Sequence, residues 1–128
     1  MQAERYTKIS LFLIITGIIL GALNAHYLTE IIAENKNNSL NTGIKYQLFH
    51  AISLLVLSLQ TNKFNHNINY SLILMTTGTC LFSVSIYLLT TQELIGINMS
   101  IIGPITPIGG VMLIISWIIL FFSVKKIN

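Results

Sequence analysis

The sequence predicts an all-α membrane protein, a bundle of four transmembrane helices in a single domain spanning 1–128, and two observations carry that reading. The first is composition. The 128-residue chain is 53% hydrophobic and only 9% charged, whereas a soluble domain carries about 25% charged residues. A helical bundle in water could not cover its outer faces with so few charges, and lipid removes the need. The second is spacing. No Asp, Glu, Lys or Arg occurs within 9–29, 46–62, 64–92 or 94–124. A span needs about 20 mostly apolar residues, so these windows fit spans at 6–28, 42–59, 68–89 and 106–124. Transmembrane strands would alternate over about 10 residues, and these runs do not.

In the first span, Arg5 and Lys8 ahead of an apolar run would also suit a cleaved signal peptide. The run is longer than a usual h-region and no small-x-small site closes it, so the span is expected to stay in the mature protein. At 100° steps Gly17, Gly21 and Asn24 share one face. The stretch "GIILG" is a GxxxG pattern that lets backbones approach closely in lipid, here read as ordinary intrachain packing before a dimer motif. His26 projects nearly opposite that face, toward another neighbour or out of the helix. The following "EIIAENKNNSLN", 30–41, ends in an Asn-rich stretch that reads as a solvated turn, with Ser39 or Asn41 as N-cap of the second span.

The second span opens on a polar group. Tyr46 and His50 are i, i+4 neighbours, and Gln47 and Ser53 flank His50 on the same broad face. The third span has two stripes. Asn69, Thr76, Thr79, Cys80, Ser83, Tyr87 and Thr90 form a polar one, while Ser71, Gly78 and Ser85 form one of small residues. A helix with both faces is expected to be central. The hydroxyls of Thr76 and Thr79 are expected to bond their own i−4 carbonyls. Cys80 is the one cysteine, so it forms no intrachain disulfide and reads as a small packing residue.

The fourth span enters through "IIGPITPIGG", 101–110. Pro104 and Pro107 lack backbone N–H groups and restrict the residues before them, which predicts a rigid extended turn from Ile101 to Thr106. Gly109 then permits close helix contact and shares a face with Met112, Ser116 and Ser123. Trp117 lies deep in the run, where its indole N–H needs a partner unless the ring faces lipid.

With four spans, the N-terminus, the 60–67 loop and the C-terminus share a side that carries Arg5, Lys8, Lys63, Lys125 and Lys126. The opposite side has Lys36, with Lys45 at a span boundary, beside Glu30, Glu34 and Glu93. The Lys/Arg excess predicts both termini in the cytoplasm and a bacterial inner (plasma) membrane location. In this topology His26, Tyr46, Gln47, His50, Ser83 and Tyr87 gather toward the outer end, where the Pro104 turn also lies. Intramembrane polar groups must find partners and are functional candidates by default. This cluster is the one constellation in the sequence that invites a functional claim.

The segments "GALNAH" at 21–26, "YQLFHA" at 46–51, "FSVSIY" at 82–87 and "GPITPIGG" at 103–110 resemble the signatures of the domain of unknown function 423 family. These are small four-span inner-membrane proteins, the YgdD-like group, related to eukaryotic transmembrane protein 256. The family pattern has glycine at the positions of Asn24 and Val84, departures that bear on how closely the first and third helices pack. The resemblance implies an integral inner-membrane bundle with no established activity. It marks His26, Tyr46, Gln47, His50, Ser83, Ser85 and Pro104 as motif positions and offers no catalytic residue to carry over.

Three functional readings compete. In the leading one the chain is a structural or accessory membrane component, working through contacts with the lipid bilayer, with copies of itself or with a larger membrane complex. Gly17, Gly21, Gly78, Ser85 and Gly109 would then be contact faces, and Tyr46, Gln47 and His50 a latch of bonds worth about 0.6–2 kcal/mol each. The second is a small-solute or proton pathway in an oligomer, titrating at His50 and His26. The third is haem or metal binding by His26 and His50, although a zinc site wants three or four ligands. The loops are too short for a soluble catalytic domain, so enzyme activity is not expected. No cofactor is expected either, and the formal charge of +3 gives no sign of nucleic-acid binding.

Overall fold

Four long helices follow one another along the chain: α1 (Gln2–Leu23), α2 (Glu34–Leu59), α3 (Ile68–Ile95) and α4 (Ile105–Ser123). The computed structural model describes residues 2–125, and Lys126, one of the charges behind the orientation argument, lies outside the described residues. With short extensions at α1 and α4, all four are long and apolar enough to cross a membrane. Helix α4, at 19 residues, is about 28 Å long at about 1.5 Å per residue. That matches a hydrocarbon core of about 30 Å. Among the described residues there is no strand, only an isolated bridge between Phe64 and Val124. This bridge, with Asn65 N–H donating to the Ser123 carbonyl at 2.9 Å, ties the α2–α3 connection to the end of α4.

The helices pack in chain order, α1 on α2, α2 on α3 and α3 on α4. Two apolar clusters result. The larger joins Tyr6, Leu54, Leu57, Ile68, Leu72, Met75, Leu113 and Leu120 at the end that holds the chain termini. The smaller joins Ile32, Leu40 and Ile44 at the other end. Both outer helices turn a broad apolar face outward, including Phe12 and Ile15 on α1 and Ile114, Ile118 and Phe121 on α4. In a bilayer those faces meet acyl chains.

Three features differ from the sequence expectation. First, α2 begins at Glu34, so the Asn-rich stretch is helix and not a solvated turn. The Ser39 and Thr42 hydroxyls bond back to the Asn35 and Asn38 carbonyls, and Leu40, 1% exposed, packs with Ile32. Burial there outweighs the weak helix propensity of asparagine. Second, α3 continues to Ile95 and stops at Gly96, whose φ of 74° is open to glycine at little cost. The added turns let Lys36 of α2 pair with Glu93 of α3. Third, the segment before α4 is not extended. It forms a 3-10 turn at Ser100–Ile102, and Pro104 caps α4 in a helical conformation. Proline φ suits a helix start, and the first-turn N–H that Pro107 lacks would have no intrahelical acceptor.

Candidate functional site

Between the two apolar clusters lies a polar layer built on the middle of α2. Gln47, 4% exposed, is its hub. Its Nε2 donates to the Leu13 carbonyl and to Thr16 Oγ1, both at 2.8 Å. Its Oε1 accepts the Tyr87 hydroxyl, also at 2.8 Å. One amide therefore uses both N–H groups on α1 and its oxygen on α3. Gly17 makes this reach possible, because a Cβ there would come within 2.7 Å of Leu48 Cδ2 and 3.4 Å of Gln47 Nε2.

Ser83 completes the contact of α3 with α2 by donating to the Gly43 carbonyl at 2.9 Å. Gly43 allows the approach, since a Cβ on it would sit 2.9 Å from Tyr87 Cε1. The same logic repeats elsewhere. Ser58 and Thr7 hydroxyls meet at 2.9 Å between α2 and α1, and Asn24 Nδ2 donates to Asn41 Oδ1 at 2.9 Å. Between α3 and α4, Ser71 donates to the Ser116 carbonyl at 2.8 Å and Ser85 pairs with Thr106 at 2.7 Å. Every pair of neighbouring helices is thus cross-linked by side-chain hydrogen bonds. In lipid such bonds satisfy groups that water cannot reach.

His50 faces a different way from Gln47. Its Nδ1 lies 2.8 Å from the Tyr46 carbonyl, and Trp117 Nε1 donates to its Nε2 at 3.2 Å. A carbonyl only accepts and an indole N–H only donates. The two bonds therefore fix a neutral imidazole with its proton on Nδ1, and they connect α2 to α4.

The sequence-derived cluster accordingly divides. Gln47, Ser83 and Tyr87 meet in one network facing α1 and α3, while His50 turns to α4. Tyr46 is 45% exposed and contributes its backbone carbonyl and its ring, 4.7 Å from Phe82 and 5.8 Å from His50. His26 does not join. It is exposed on a π-helical turn, Asn24–Leu28, that prolongs α1. Asn24 pairs with Asn41, and Leu13 with Gln47. On those two registers His26 lies level with residues 34 to 39 of α2, about 16–24 Å along the axis from His50 at about 1.5 Å per residue. The two histidines cannot share one haem or metal ion. Among the described residues no group of three or more His, Cys, Asp or Glu side chains could hold a metal.

Of the packing residues, Gly78 and Gly109 meet. A Cβ on Gly109 would lie 2.5 Å from the Phe82 backbone nitrogen, and one on Gly78 would lie 3.1 Å from the Gly109 carbonyl. Gly17 lies against α2, so half of the GxxxG pattern serves α1–α2 contact, whereas Gly21 has only Ile44 at 3.8 Å. Thr76 and Thr79 bond the Leu72 and Met75 carbonyls of their own helix. Thr7, Thr16, Ser58 and Thr106 join these interhelix bonds without being marked by the sequence pattern, and Asn41 bonds Asn24 and does not cap α2. Each is visible as a polar group beside an apolar run, but its partner depends on interhelix register.

The family described as Protein of unknown function (DUF423) matches residues 20–110. The UPF0382 membrane protein YwdK of Bacillus subtilis is 36% identical over 84% of this chain and 85% of its own. A UPF0382 membrane protein of Haemophilus influenzae is 34% identical over 85% and 84%. The UPF0382 inner membrane protein YgdD of Escherichia coli is 30% identical over 92% and 89%. No solved structure matches.

Proposed function

The chain belongs to the DUF423 family of multi-pass bacterial membrane proteins, and from that premise we propose that it is a structural or accessory component of the inner membrane, acting through helix contacts. The observation that carries this reading is the saturation of Gln47 and His50 at the centre of the polar layer, whereas the buried Oδ1 of Asn24, nearer the end of the bundle, has no partner among the described residues. Gln47 spends both amide N–H groups and its oxygen on α1 and α3, and His50 spends both ring nitrogens on Tyr46 and Trp117. Groups committed to holding helices together are not free to handle a substrate or relay a proton. What the molecule offers to its surroundings is its apolar outer faces, and a partner helix or a second copy would read those.

The test is mild crosslinking in native membranes followed by mass spectrometry. A constant partner, or a defined homo-oligomer, is the expected outcome. Crosslinks no more frequent than those of an unrelated four-span control would overturn the proposal. So would pH-dependent flux in proteoliposomes that His50→Ala abolishes while the bundle stays folded.

A further inference from the structure

The bond between His50 and Trp117 crosses an open groove. Helices α2 and α4 both flank α3 and do not pack closely on each other. The space between them is a cleft of about 580 Å³, walled by Tyr46, Phe49, His50, Phe82, Gly110 and Trp117, with Lys45 at its edge. A second hollow of about 350 Å³ shares Phe49 and Trp117 and carries the groove on past Val56. From Lys45 to Val56 the α2 wall runs about 17 Å at about 1.5 Å per residue. One leaflet of a hydrocarbon core about 30 Å thick has nearly that depth.

The lining selects the occupant. His50 is consumed by Tyr46 and Trp117, and Ser53 by the Phe49 carbonyl at 2.8 Å. Apart from the Tyr46 hydroxyl, the groove therefore presents hydrocarbon and ring faces, which suit an alkyl chain better than a polar solute. Lys45 supplies the one charge. It is exposed, and the ion pairs among the described residues, Lys8 with Glu4 and Lys36 with Glu93, do not include it. Gly43 and Thr106 bond to Ser83 and Ser85, two residues apart on α3. Since α2 and α4 both run antiparallel to α3, Lys45 is thus level with Gly110, in the second turn of α4 and about 7 Å inside its first residue at about 1.5 Å per residue. A lysine there lays its stem along the apolar surface and holds its ammonium at head-group height.

We propose that the α2–α4 cleft is a lipid site that seats one acyl chain of an anionic phospholipid, whose phosphate is held by Lys45. The site does not depend on the accessory role above, and its test reads a different quantity. Trp117 is the one tryptophan in the sequence, so its fluorescence reports on the cleft directly. The full chain is reconstituted in phosphatidylcholine vesicles doped with acyl-brominated phosphatidylglycerol or acyl-brominated phosphatidylcholine. Brominated phosphatidylglycerol should quench at lower mole fraction, by about fivefold, the scale set by one lysine at an anionic head group. Lys45→Gln should abolish that preference and keep the quenching by phosphatidylcholine. Gly110→Leu should reduce quenching by both lipids. A Cβ at Gly110 meets only the Phe82 ring at 3.7 Å, so the longer side chain fills the cleft without parting the helices. Helicity and melting of both variants check that they fold, and Lys45→Gln decides the matter alone if Gly110→Leu does not. Equal quenching by the two lipids, or a preference that survives Lys45→Gln, overturns the proposal. So does the absence of quenching by either lipid, which would mean that protein, such as a second copy, fills the cleft.

Discussion

A buried amide in lipid has no water to fall back on, so the number of its bonds that the fold satisfies sets how much its loss costs. Gln47 has three, to Leu13, Thr16 and Tyr87, while the Tyr87 hydroxyl donates to Gln47 and also meets the Ser83 side chain. Interhelix bonds in membranes average about 0.6 kcal/mol each, with a maximum near 1.7. Gln47→Leu, which keeps the volume, should therefore destabilise the bundle by about 1–2 kcal/mol, and Tyr87→Phe by about 0.6 kcal/mol. Reversible unfolding in mixed micelles gives both values. The two losses should not add, because Gln47→Leu already removes the Tyr87 bond. Full additivity in the double variant would show that the bond does not form. A second residue, His50, is read through its partner. His50→Phe keeps a ring in place but strips the acceptor from the Trp117 indole. The emission of this single tryptophan should move to shorter wavelength, and an unchanged spectrum would count against the pair.

At the scale of helix elements, glycines with different surroundings should rank differently on substitution. Gly109→Ala places a methyl 2.5 Å from the Phe82 backbone nitrogen, an atom that cannot turn aside, so α3 and α4 must part. A cost of about 1–3 kcal/mol is expected, the usual range for overpacking. Gly17→Ala meets the tip of Leu48 at 2.7 Å, which can rotate, and should cost less. Gly21→Ala meets only Ile44 at 3.8 Å and should be neutral or stabilising by up to about 1 kcal/mol, the helix preference of alanine. Thermal melts of the three variants give the order, and a Gly21→Ala loss as large as that of Gly109→Ala would defeat the close-approach argument. The sequence legibly marks the existence of these helices, because lipid demands long charge-free runs whatever the tertiary detail. It also marks Gln47, His50, Ser83 and Tyr87 as groups that need partners. Which partner each takes is not legible, since a single chain does not encode the rotation of one helix against another in its own periodicity. The overhang of α2 from Glu34 escaped the pattern because Leu40 and Ile32 bury each other across a bend. His26 escaped it because the π-helical turn at Asn24–Leu28 adds residues to one turn and rotates everything after it away from 100° steps.

For the whole molecule, the antiparallel order of four helices places both chain ends on one side of the membrane, and charge selects which side. Arg5, Lys8, Lys63 and Lys125 all lie at the end that holds the termini, where Lys125 Nζ donates to the Asn62 carbonyl at 3.1 Å. At the opposite end Lys36 is paired with Glu93. Lysine and arginine near the ends of spans are retained in the cytoplasm, and acidic residues contribute little to the choice. The expected orientation therefore has the termini and the 60–67 loop inside, with the 96–104 connection outside. Cysteine accessibility decides this in intact cells. Cys80 is removed as Cys80→Ala, and Asn98→Cys or Asn62→Cys is introduced singly in that background. A membrane-impermeant maleimide should label Asn98→Cys directly and Asn62→Cys only after permeabilisation. The reverse pattern would mean that the chain inserts with its basic end outward. The cleft beside Lys45 would then open to the cytoplasmic leaflet, where the anionic lipids that it is built to hold would have to be sought.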